Sequence, residues 1–169
     1  MTLGNAYVTR MPAGFPGMVN RVSEASLQQE IIDQNYPPVL YGTLTKMVSG
    51  KVRTLPAAAA VGDIYGFIAR PYPVQETTAA GSALGAAGVP NKELPCDILK
   101  RGYIMVDFAG VTASKGGQVY VCINTAGGNA IGEIFEGADA GNNIAVTNCF
   151  FMGAADANGI VEVSYNIER

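Results

Sequence analysis

Alternation of apolar and polar residues is clearest near the end of the chain. In GIVEVSYNIER, Val161, Val163, Tyr165 and Ile167 alternate with Glu162, Ser164, Asn166 and Glu168. A period of two puts one set on a buried face and the other in water, so a strand is expected there. VLYGTLTKMVSGKVRTL reads as two strands joined by a tight turn at Ser49-Gly50, because glycine supplies the positive φ that hairpin turns need. DIYGFIA is a further strand, and Gly66 within it marks a bulge or a close backbone approach. RGYIMVDF, GQVYVCIN, IGEIF and VTNCFFMG add four more, each bounded by Gly, Asn or Asp.

Seven or eight short strands with Gly-rich turns predict an all-β fold, a small β-barrel or jelly-roll-like sandwich. SEASLQQEIIDQ is different. Ser26 and Gln29 resemble a capping box and Leu27, Ile31 and Ile32 lie partly on one helical face, which leaves helix and extended arm both open over residues 23–34. Pro37-Pro38 then closes the segment. The expected organisation is an N-terminal arm over residues 1–38 and a β domain over 39–169. A Pro/Ala/Gly-rich excursion is expected at about 71–96. That excursion begins where the GFIA strand runs into Arg70-Pro71-Tyr72-Pro73, whose prolines withhold backbone donors and impose an extended path.

Composition narrows the function. Charged residues are 15% of the 169, below the roughly 25% usual for soluble domains, which points to a surface partly covered by a partner. The net charge is −3, and Lys100-Arg101 is the one adjacent basic pair, so neither a nucleic-acid stripe nor a polybasic membrane patch is readable. No run has the length of a signal-peptide core or a membrane span, and a cytosolic protein is expected. The three cysteines, Cys96, Cys122 and Cys149, form no CxxC pair; the last two sit in apolar runs and read as core residues.

Histidine is absent, which excludes Ser-His-Asp and Cys-His catalysis and imidazole zinc sites. GSALGAAG lacks the spacing of a phosphate loop. EGADAGNN and DANG lack the alternating oxygen ligands of a calcium loop and read as Asx-turns. No enzyme activity, cofactor or metal is expected.

The ordered set GKVRTL, GDIYGFIARPYPVQ, KRGYIMV, KGGQVYV and the alternating last strand resembles tailed-bacteriophage head cement, or capsid decoration, proteins. AGFPGMVNR resembles the leading arm of that family. The resemblance spans roughly Val39 to Glu168, and the longer Ala/Gly loop over Thr77 to Val89 departs from it. It implies a non-catalytic homo-oligomer, a dimer in preference to a trimer. The protein would be made in the host cytoplasm and sit on the outer surface of the mature capsid. There it would bridge subunits of the major capsid protein and stabilise the head. Phe15, Met18 and Val19 in the arm, with Arg70 and Tyr72 at the proline step, are the residues expected to meet a partner. The alternative is a receptor- or glycan-binding β module of a virion fibre or spike, against which the lack of Trp counts.

Overall fold

In the computed structural model, residues 14–71, 88–90, 92–110, 112–125 and 129–167 are described. Among the described residues ten strands run in chain order: β1 (Val19–Asn20), β2 (Ser26–Ile32), β3 (Leu44–Val48), β4 (Lys51–Thr54) and β5 (Gly66–Ile68). They continue as β6 (Pro95–Asp107), β7 (Gln118–Cys122), β8 (Ile134–Glu136), β9 (Asn143–Phe151) and β10 (Ile160–Asn166). Short 3-10 turns occupy Val22–Glu24 and Val61–Asp63. The all-β expectation holds.

The order β2-β4-β3-β5-β6, together with a direct β2–β6 pairing, closes a five-stranded barrel. From the far half of β6 the sheet continues through β10, β9, β7 and β8. A parallel bridge between Phe108 and Ile134 then draws that far edge back to the end of β6. The long strand β6 is therefore the shared wall of two curved sheets.

Two cores follow from this layout. Ile32, Val52, Ile68, Cys96 and Ile98 from strands of the closed barrel form one cluster with Tyr41 from the turn before β3. Leu44, Phe67 and Leu99 belong to the other, with Ile104, Val106, Val121, Cys149, Phe151, Val163 and Tyr165 from the second sheet. Neighbours Phe67 and Ile68 on β5 thus serve different cores, as do Ile98 and Leu99 on β6, which is the period-two alternation of a strand buried on both faces. Along β6 the large core contributes Leu99 and then Ile104 and Val106, so the parity changes within the strand. The change has a visible cause. Ser26 pairs with Arg101 while Leu27 pairs with Leu99, leaving Lys100 as an extra residue in a bulge.

The hairpin turn is as expected: Ser49 and Gly50 both have positive φ, 52° and 75°, the type I′ geometry that matches strand twist. Gly66 is a close approach. A Cβ there would meet Ile98 Cγ2 at 2.6 Å and the Leu99 carbonyl oxygen at 2.7 Å. The three cysteines are buried and free.

The N-terminal expectations need correction. Of the two conformations left open over residues 23–34 the extended one is found: after the 3-10 turn at Val22–Glu24, Ser26–Ile32 is a strand, paired with β6 from Ser26 to Ile31 and with β4 at Ile31 and Ile32. The segment expected to be an arm up to Pro38 is, from Val19 on, part of the sheet, since Val19 and Asn20 pair with Ile104 and Tyr103. The strand count rises from seven or eight to ten for this reason. At the other end of the excursion, β6 already begins at Pro95 and buries Cys96. Residues 1–13 and 72–87 lie outside the described residues.

Candidate interaction surface

The segment Gly14–Asn20 is fastened on both sides. Gly17 N–H donates to the Met105 carbonyl at 2.8 Å, and Met105 N–H donates to the Met18 carbonyl at 2.9 Å. On the opposite side Arg70 N–H donates to the Gly17 carbonyl at 2.7 Å, and Arg70 Nε donates to the Pro16 carbonyl at 3.1 Å. Gly17 has φ +83°, and a Cβ on it would lie 2.5 Å from Tyr41 Cβ and 3.0 Å from the Gly42 backbone nitrogen. Only glycine allows the backbone to lie that close to the Tyr41-Gly42 turn. Met105, covered by this segment, is buried.

Four of the five residues expected to meet a partner can be placed. Phe15 stands at the outer side of the fastened loop with 40% of its surface exposed. Met18 is half-buried and packs its terminal methyl against Gly14, whose added Cβ would meet Met18 Cε at 2.5 Å. Val19 packs on the large core, so its side chain contributes to folding. Arg70 lies over the Tyr41 ring, its guanidinium carbon 5.0 Å from the centroid. Burial pulls the Arg70 pKa below its ordinary value, and burial pushes the Tyr41 hydroxyl up. Tyr72 lies outside the described residues. Phe15, Met18 and Arg70 are therefore brought together by the loop, with Arg70 holding the loop backbone.

Two further surfaces were not anticipated. A groove of about 530 Å³ is lined by Arg101, Tyr103, Asn148, Phe150 and Ser164, among others. Phe150, Ser164 and Tyr103 form a lateral row, because Ser164 pairs with both neighbours. Arg21 lies over the Tyr103 ring at 3.9 Å and meets Glu162 at 3.5 Å. The second is the outer side of β2, where Leu27 and Ile31 are exposed beside Leu94. The available sequence signal was the four-residue spacing of Leu27 and Ile31, which puts them on one face of a strand and of a helix alike.

Among the described residues no group of three or more His, Cys, Asp or Glu is placed to hold a metal ion. No helix among them is long and apolar enough to cross a membrane. Asp139 and its neighbours form turns: Asn142 Nδ2 donates to the Asp139 carboxylate at 2.9 Å, and Asp139 N–H donates to Asn143 Oδ1 at 2.8 Å.

A barrel fused to a second curved sheet through one long strand, with exposed apolar and aromatic side chains on its surface, defines an all-β structural module. The chain belongs to the family of the XM1 gp53 minor capsid protein, whose model matches residues 4–165. Its fold is similar to that of a chain in a structure of the capsid of Myoviridae phage XM1. The TM-score is 0.66 at 21% identity, with 99% of each chain covered. No curated protein matches the chain. It is thus a phage capsid structural protein and a component of the virion.

Proposed function

We propose that the protein is a decoration, or cement, protein that binds the outer surface of the mature head and bridges neighbouring subunits of the major capsid protein as a homodimer. The observation that carries this reading is the mounting of Phe15. Its ring is open to solvent while the backbone on its C-terminal side is bonded to both β6 and Arg70. A large exposed aromatic on a fixed support loses little conformational entropy on docking, the property expected of an interface anchor. Membership of a minor capsid protein family supports the partner. A head stabiliser needs no reaction chemistry, in keeping with a histidine-free sequence.

Bridging works by effective concentration. Burying one Phe ring contributes about 1.5–3 kcal/mol, too little alone, but a dimer gripping two subunits makes the second contact intramolecular. The experiment is cosedimentation with heads that lack the protein. Full-length protein should pellet with heads and raise their disruption temperature. Phe15→Ala should weaken binding at least ten-fold with an unchanged melting temperature. Full-length protein that stays in the supernatant overturns the capsid role; Phe15→Ala binding like wild type overturns the anchor.

A further inference from the structure

Strand β2 is held along one edge and open along part of the other. Ile32 N–H donates to the Leu94 carbonyl, continuing the β6 ladder, so Gln28 and Glu30 also turn their backbone groups toward β6. Asp33 N–H donates to the Val52 carbonyl on the β4 side, so Leu27, Gln29 and Ile31 turn theirs the other way. On that side β4 pairs only with Ile31 and Ile32. Leu27 and Gln29 therefore present both N–H and C=O along an edge that no described residue covers, and Leu27, Gln28 and Gln29 are all exposed.

Proteins normally guard such an edge with Lys, Pro or a covering segment. Between Ser26 and Ile32 there is neither Lys nor Pro, and Glu30 is the one charge. We propose that this edge is the dimer contact, formed by antiparallel pairing of β2 with β2 of a second copy about a two-fold axis at Gln28.

The register follows from which groups are open. With the axis at Gln28, Leu27 faces Gln29 of the second copy in a hydrogen-bonded pair, and Gln29 faces its Leu27. Every open N–H and C=O of the two residues is then satisfied, as an isologous contact requires. Ser26 faces Glu30 of the other copy, so no like charges are opposed. The two Gln28 side chains meet at the axis in a non-hydrogen-bonded pair, where side chains come closest. Exposed Leu27, Ile31 and Leu94 flank the seam as apolar surface, at 42%, 41% and 41% exposure.

This inference rests on the homodimer in the proposed function, and its test separates the two. Full-length protein should sediment as a dimer at micromolar concentration. Gln28→Lys and Gln28→Glu each set like charges against each other at the axis, and each should weaken the dimer at least ten-fold. Mixed one to one, they should restore it. Gln28→Cys under mild oxidation should give a covalent dimer, since the native cysteines are buried. A monomeric wild type, or single variants that dimerise like wild type without cross-linking through position 28, overturns the β2 contact. Cosedimentation of wild-type protein with heads is read independently, so its loss bears on the capsid role and not on this seam.

Discussion

Phe67 and Tyr165 meet edge to face, ring centroids 5.0 Å apart at 89°, where the barrel wall packs against the last strand. The contact joins β5 to β10 across the large core, and both rings are buried. The Tyr165 hydroxyl has no hydrogen-bond partner among the described residues, and burial pushes its pKa upward. A buried hydroxyl without a partner costs roughly 1–3 kcal/mol. Tyr165→Phe keeps the aromatic contact and should raise stability by about 1 kcal/mol in denaturant titration. Tyr165→Ala should lower it by about 3–5 kcal/mol through loss of the ring. A destabilised Tyr165→Phe would mean that the hydroxyl is bonded after all.

Much of this core was legible. The alternation from Val161 to Ile167 placed Tyr165 on the buried side because the strand has one wet face. The β3–β4 hairpin was legible because its turn chemistry is local to Ser49 and Gly50. Strand β2 was not. Its residues satisfy a capping pattern and a partial helical stripe, and what decides for strand is pairing with β6, far away in sequence. The candidate surface divides in the same way. Phe15 stood out as an apolar residue in a stretch with no period of its own. The fastening of Gly17 between Met105 and Arg70 depends on contacts over long separations and left no local trace. Val19 looked like its neighbours in sequence and proved to pack on the core.

Alkaline pH should loosen the barrel mouth. Tyr65 donates its hydroxyl to Glu30, and Lys100 Nζ sits 3.4 Å from its ring centroid. Burial first, and then the Glu30 carboxylate, push the Tyr65 pKa up to about 12. A folded pKa above the unfolded value of about 10 favours the protonated folded state. This stabilisation is complete below pH 10 and is lost as pH rises through about 12. Tyr65→Phe should flatten the fall of melting temperature across that window. An unchanged slope would rule out Tyr65 as a contributor.

Chelation should leave the melting temperature unchanged. The Asp139 carboxylate already accepts from Asn142, and the Asn143 side chain donates to the Gly137 carbonyl at 3.0 Å. These bonds account for the loop as Asx-type turns. A drop of several degrees with a strong chelator would instead identify a bound cation stabilising the native state.

Two truncations separate the fastened loop from what precedes it. Removing residues 1–20 takes away the bonds from Gly17 and Met18 to Met105, the pairing of Val19 and Asn20 with β6, and the cover over Met105. It also strips the Pro16 and Gly17 carbonyls from Arg70. Re-exposed apolar surface and lost hydrogen bonds together should cost about 3–5 kcal/mol. Removing residues 1–13 leaves all of these contacts in place, so that variant should keep the fold. Head binding then locates the anchor. The shorter truncation retains Phe15 on its support and should still bind heads, whereas Phe15→Ala in the same background should not. If the 1–13 truncation folds but no longer binds, the anchor lies in those first residues rather than at Phe15. If the 1–20 truncation melts like wild type, the loop contributes nothing to the fold, and its hydrogen bonds to Met105 and Arg70 cannot be what holds Phe15 in position.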